Sequence, residues 1–267
     1  MRTTSAGAHS VAMFRGIDHI VIAVRELDAA IQRYTDAGFT AVLGGRHNIG
    51  THNALIAFAD GSYIELIAFL NPVTSHPWHA ALEKGGGLVD FCMRTDDLAA
   101  DVELLRRAGA TMGDPSPMTR DRPDGYRLSW VLSIPVPPFS GQVPFLIKDE
   151  TPRDERVPRD RTHRNDAAGL ASVTVAVEDP RTSSSFYARV LGRPGAPLQR
   201  PDLDASGVEF RIGPHRIELV APKNPAGLVS EHLRTRGQSI YEATLCGGRP
   251  YFRLDPGALE GARLRFA

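Results

Sequence analysis

Cysteine is nearly absent from this chain: Cys92 and Cys246 are the only two in 267 residues. Both sit in apolar, strand-like runs without CxxC spacing, which excludes a disulfide framework and fits reduced structural thiols in a cytoplasmic protein. Net charge is missing too, since Lys+Arg and Asp+Glu each number 31. No global field attracts nucleic acid or an anionic membrane, so a charged partner has to be recognised locally. Lysine is scarce, with Lys84, Lys148 and Lys223 in a chain that otherwise uses arginine. No apolar run approaches the roughly 18 residues of a membrane span. Residues 1–13 are Ser/Ala-rich without an apolar signal core and read as a frayed extension. No GxGxxG or Walker spacing accompanies the glycines. What is present is 42% hydrophobic content over a length that suits about two domains.

A module repeats along the chain. Residues 17–24 form an apolar run broken by Asp18 and His19, after which Leu27, Ala30, Ile31 and Tyr34 fall at helical spacing and Gly38 stops the helix. Three β-like runs follow, Thr40 to Leu43, Ala54 to Phe58 and Tyr63 to Phe69, with Asp60-Gly61 as a hairpin turn between the last two. The unit reads βαβββ. It restarts at Gly87 with the same register: His19 to Leu27 and Asp90 to Leu98 are both eight positions. Runs at about 127–134 and 142–148 complete this second unit, lengthened by a Pro/Asp/Arg-rich insertion from Asp114 to Asp124. Residues 151–166 are charged and proline-broken, as expected of a solvated linker. A third unit begins at Gly169, with Phe186, Tyr187, Val190 and Leu191 on its helix, and the fourth is truncated to strand fragments such as Ile240 to Leu245 and Ala262 to Phe266. Forty-six positions separate His19 from Glu65, and forty-six separate Ser172 from Glu218. The expected fold is α+β, with domains at 14–150 and 167–267 joined by a linker at 151–166.

Paired βαβββ units with His on the first strand and Glu on the last resemble the vicinal oxygen chelate superfamily, which includes glyoxalase I, bleomycin-resistance proteins and extradiol dioxygenases. The runs Leu43 to Leu55, Gly61 to Ile67 and Val143 to Ile147 resemble its glyoxalase-like domain group most. The resemblance implies two half-barrel domains, each formed by two modules, whose concave face holds a divalent metal (Zn, Ni, Mn or Fe). Carried over by position, the first site is His19 and Glu65 from unit one and Asp90 and Lys148 from unit two. Lys148 departs from the pattern, because an ammonium has no lone pair for a metal. It either neutralises the carboxylates, binds an anionic substrate or acts as a base. Asp90 is either a third ligand or a salt-bridge partner of Lys148. His19 and Glu65 are metal or substrate contacts, or else a polar pair kept for structure. In the second half Ser172 replaces the histidine and only Glu218 survives, so that cleft reads as filled or vestigial.

By the same resemblance His47, Thr51, His52 and Asn53 border the cleft mouth as substrate contacts, against the alternative that this is merely a turn region. Trp78, His79, Tyr126 and Trp130 wall the pocket or belong to the core. The implied function is a metal-dependent lyase or isomerase acting on a small oxygenated metabolite, with Glu65 or Lys148 moving a proton. The rival is a metal-free binding or sequestering protein of the bleomycin-resistance kind, and an extradiol-type dioxygenase ranks below both. The expected partner is a small molecule, without nucleic acid or membrane, and a homodimer is compatible with the reading.

Overall fold

The computed structural model describes residues 14–71 and 76–267, so the extension at 1–13 lies outside the described residues. The first module runs β1 (Ile17–Ala23), α1 (Leu27–Asp36), β2 (Val42–His47), β3 (Thr51–Ala57) and β4 (Tyr63–Phe69). Leu27, Ala30 and Tyr34 form the buried face of α1, and Gly38 behind it takes φ 91°, a left-handed conformation suited to glycine. A helix not foreseen from the sequence, α2 (Pro77–Glu83), leads into the second module: β5 (Gly87–Arg94), α3 (Leu98–Arg107), β6 (Ser116–Asp121), β7 (Arg127–Ser133) and β8 (Phe145–Asp149). After α4 (Arg153–Arg156) the second half runs β9 (Ala167–Ala176), α5 (Pro180–Leu191), β10 (Ala196–Arg200), β11 (Ala205–Ile212), β12 (His215–Pro222), α6 (Leu228–Arg236), β13 (Ser239–Gly247) and β14 (Leu264–Phe266). The mixed α and β content and the repeated modules agree with the expected fold class. The truncated fourth module keeps only its first and last strands, β13 and β14.

In each full module the first and last strands pair in parallel, and the first strands of partner modules pair antiparallel, β1 with β5 and β9 with β13. The second half stays an open six-stranded sheet. The first half curls further, and its eight strands close into a barrel because β2 meets β6, with Arg46 opposite Asp121 and His47 opposite Arg120.

The four central strands are covered on both faces, which is why they read as nearly continuous apolar runs. Side chains alternate across a strand. Ile20 and Ile22 of β1, Phe91 and Met93 of β5, Val173 and Val175 of β9, and Ala243 and Leu245 of β13 join one core shared by the barrel's outer surface, the helices and the second sheet. Burying each large aliphatic side chain among them stabilises the fold by about 1.5–3 kcal/mol. The other parity faces the clefts: Val21 and Cys92 join the apolar lining inside the barrel.

Two segments differ from expectation. The insertion at 114–124 contains β6, whose Met118 and Arg120 are buried while Pro117 and Asp121 are exposed. Its proline and charged residues hide the alternation. The segment 151–166 is not uniformly solvated, since Arg156 and His163 are buried within it. Arg156, at the end of α4, donates from Nη1 to Asp18 Oδ1 (3.0 Å) and Tyr63 Oη (2.5 Å), and from Nε and Nη2 to the two Asp149 oxygens (2.5 and 3.0 Å). Arg153 adds two bonds to Asp18 Oδ2 at 3.1 and 3.0 Å. A run of charge looks solvated in sequence because sequence does not show that its partners wait inside the fold. Burial alone would raise the Asp18 carboxyl, yet Arg156, His19 and Arg153 hold it well below the ordinary carboxylate range.

Arg156→Ala removes the guanidinium and leaves Asp18 and Asp149 short of a partner at the barrel's end. The expected loss of unfolding free energy is about 3–5 kcal/mol, that of a broken buried pair. Chemical denaturation at neutral pH measures it, and a loss below about 1 kcal/mol, the range of exposed pairs, would contradict the burial argument.

Candidate active site

The barrel encloses a cavity of about 490 Å³. At its closed end β1 contributes His19, β4 contributes Tyr63 and Glu65, β2 contributes His47 and β6 contributes Arg120. Trp78, Trp130 and Phe145 supply aromatic wall, and at the open end lie Ile49, Asp114 and Val136. The body of the cavity is mainly apolar and its buried ionisable groups His19, Glu65, His47 and Arg120 gather at one end, the usual design of a small-molecule site.

The polar end is built outward from Asp18. Its Oδ1 accepts from His19 Nδ1 at 2.9 Å, so the imidazole directs Nε2 into the cavity, 3.5 Å from Glu65 Oε2. The ring cannot turn, because it stacks on Tyr63 at 4.4 Å and meets Phe145 edge-on at 5.3 Å. Glu65 Oε1 accepts from Asn53 Nδ2 at 2.7 Å and lies 3.8 Å from His47 Nε2. Thr51 Oγ1 bonds His47 Nδ1 at 2.8 Å. Burial lowers the His47 pKa to about 4, so this imidazole is neutral at physiological pH. Asn53 fits beneath the carboxylate because β2 carries Gly44 there; a Cβ on that residue would lie 2.2 Å from Asn53 Oδ1.

The structure thus brings together His19, Glu65, His47, Thr51 and Asn53, five of the residues singled out in the sequence. Trp78 and Trp130 line the cavity, whereas half-exposed His52 and exposed Tyr126 do not.

Two sequence assignments are corrected. Lys148 is exposed, opposite Val131 on the outer face of β8. The β1–β5 register, with His19 opposite Cys92 and Val21 opposite Asp90, relates the two modules by a local two-fold that exchanges His19 with Asp90 and Val21 with Cys92. Val21 neighbours Glu65 and Cys92 neighbours Phe145, so the counterpart of Glu65 is Phe145. Lys148 lies three residues further on, an odd offset that turns its side chain outward. Asp90 does occupy the counterpart position of His19, but it is held elsewhere: Oδ2 accepts from Trp78 Nε1 at 3.2 Å and Oδ1 from the Phe91 N–H at 2.9 Å. It pairs with no lysine.

This donor set does not match the four-ligand metal centre that the resemblance implies. Asp90 is taken up by Trp78, the fourth place is a phenylalanine, and the two histidines address opposite oxygens of Glu65. Among the described residues no three His, Cys, Asp or Glu side chains are arranged to share one ion.

The second half fills the equivalent hollow with its own cation. Ser172 and Glu242 stand at the His19 and Asp90 positions, and Glu218 at that of Glu65. Arg200 donates to Glu218 Oε2 and Glu242 Oε1, both at 2.6 Å, while Ser172 Oγ donates to Glu218 Oε1 at 2.9 Å. The expectation of a filled cleft is met by a residue, Arg200, that sequence reasoning did not identify. Sequence reasoning also missed Arg120, Arg156 and Asp18 at the first site. Only Asp18 carried a signal, as a carboxylate inside an apolar strand next to His19.

A family model described as a glyoxalase-like domain matches residues 17–191, about two thirds of the chain. No curated protein matches the sequence. Among solved structures, a hypothetical protein from Staphylococcus aureus superposes with a TM-score of 0.68 at 15% identity, covering 94% of this chain and 98% of that one. A mutant of 4-hydroxymandelate synthase from Streptomyces coelicolor gives 0.57 at 16% identity, covering 87% of this chain and 71% of that one. A xylose isomerase-like TIM barrel/4-hydroxyphenylpyruvate dioxygenase fusion protein gives 0.57 at 14% identity, over 92% of this chain and 38% of that one. At these identities the likeness is one of fold. No helix among the described residues is long and apolar enough to cross a membrane.

Burial raises the Asp90 carboxyl to about 7, against about 4 for an unfolded aspartate. Between these values the folded state binds the extra proton, so this group lowers stability as pH rises from about 4 to about 7 and adds no further slope above that. Asp90→Asn removes the titration. Unfolding free energies measured from pH 4 to pH 8 are expected to show a shallower fall with pH in the variant; an unchanged slope would place the proton elsewhere.

Proposed function

The chain belongs to the family of glyoxalase-like domains, and we propose that its N-terminal barrel takes up a small, largely apolar metabolite bearing an oxygen group and moves a proton on it. The reading is carried by one observation: Glu65, held between His19 and His47, sits at the buried polar end of a cavity whose walls are mainly apolar. The reaction class is isomerase or lyase, and the working compartment is the cytoplasm, as its two unpaired cysteines suggest.

In this mechanism Glu65 removes a proton from the carbon next to the ligand's oxygen group, and the C–H electron pair moves onto that oxygen as an enolate. With the Thr51 hydroxyl donating to Nδ1, neutral His47 presents Nε2–H and stabilises the oxyanion. His19 is fixed by Asp18 with its Nε2 facing Glu65, so the two hold a proton between them and return it to the neighbouring carbon, or release it with a leaving group. Asn53 keeps the carboxylate aimed into the cavity. No step runs through a metal, because the donor set does not match the four-ligand centre.

A second reading, binding without turnover, is favoured by the wall contributed by module two, where Phe145 stands at the counterpart position of Glu65 and supplies no second acid or base there. The chain has two tryptophans, Trp78 and Trp130, and both line this cavity, so their fluorescence reports its occupancy directly. Screening metabolites by this signal identifies ligands, and exchange of their carbon-bound hydrogen with deuterated solvent separates the readings. Glu65→Gln is expected to keep binding within a few-fold and to slow exchange by about 100-fold or more, the usual share of a general base, whereas Lys148→Ala changes neither. Ligands that bind without exchange in the native protein support sequestration. A stoichiometric metal in protein purified without chelators, lost in His19→Ala, overturns the metal-free mechanism.

A further inference from the structure

The two arginines that line the barrel cavity are unequal. Arg156 is neutralised by Asp18 and Asp149. Arg120 is 3% exposed, yet no carboxylate among the described residues lies within ion-pair distance of it. Its Nη2 donates to the Arg156 carbonyl at 2.8 Å, and its buried Nε–H has no partner. The guanidinium stands 6.0 Å from the Trp130 ring, too far to be a strong cation–π contact. Glu65 attracts this guanidinium from beyond ion-pair distance, which leaves a buried charge without a paired carboxylate, a costly arrangement that an anionic ligand group would complete.

The surroundings make room for that guanidinium. Gly44 on β2 faces it, and a Cβ there would lie 3.2 Å from Arg120 Nη1. His47 is the cross-strand partner of Arg120 and lies 3.8 Å from Glu65. A ligand held by Arg120 therefore sits within one side chain of the carboxylate that moves the proton. The rest of the cavity, with Trp130, Leu132, Phe145 and Ile147, asks for an apolar body.

We infer that Arg120 is the anchor for an anionic oxygen group, and that the ligand class of this barrel is a small monocarboxylate with an apolar body. The inference rests on the barrel being the ligand site, as proposed above, but not on whether the ligand is turned over. Arginine suits the task because its planar fork meets a carboxylate with two parallel hydrogen bonds.

Matched probes test this without knowledge of the natural ligand: phenylacetate against phenylacetamide, and hexanoate against hexanamide, titrated while tryptophan fluorescence is followed. Each acid is expected to bind the native protein about 10- to 100-fold more tightly than its amide, the worth of a charge-assisted hydrogen-bond pair. Arg120→Gln is expected to abolish that preference and Arg120→Lys to restore part of it. Amides that bind as tightly as the acids overturn the inference, even if Arg120→Gln fails to fold, because that comparison uses only the native chain. So does an acid preference that survives in Arg120→Gln. In both cases the tryptophan response leaves the barrel standing as a binding site. If no probe perturbs the tryptophans, monocarboxylates are excluded, and the barrel site is then judged by the Glu65 exchange experiment alone.

Discussion

One buried carboxylate, Asp18, organises the first half of this protein. It sits in the first strand, yet its partners come from α4 and from the neighbouring imidazole, so a segment that resembles a tether in sequence closes one end of the barrel. The same contact fixes His19. With Nδ1–H committed to Asp18, the ring has one free nitrogen, and stacking on Tyr63 leaves it one direction to face. Stability and site geometry are thus set by a single ion cluster, whose mutual compensation is what makes burying it tolerable.

The modules share a backbone plan and divide the chemistry unequally. Module one supplies His19, His47, Asn53 and Glu65, while module two offers Phe145, Trp130 and one unneutralised guanidinium. A barrel assembled from two similar units thereby acquires a polar pole and an apolar flank. The contact between β2 and β6 matters for the same reason, since it places His47 beside Arg120 and joins the two contributions at one seam.

The repeat was legible because apolar runs and helix stops recur at constant spacing, and spacing survives even where residue types change. His19 and Glu65 stood out as ionisable groups inside strands that pack on both faces. Lys148 misled because an approximate strand boundary leaves parity open, and an error of one residue reverses the face. Arg120 and Arg156 were illegible for the opposite reason: each lies among prolines and charges, where local composition signals exposure, and only long-range contacts reveal burial. The helix α2, short and opening with proline, follows residues 72–75, whose neighbours are turn-like; its Trp78 was noted as an aromatic, not as a helical one.

Arg200 gives the second half a different fate from the first. Where the barrel leaves a space to be visited, the open sheet carries a resident, covalently tethered and always present at saturating effective concentration. Its occupancy cannot be changed by supply, competition or dilution. Substitutions around Ser172, Glu218 and Glu242 will therefore register as folding phenotypes rather than as altered affinity, so of the two equivalent hollows one serves as a buttress and the other stays open to a visitor.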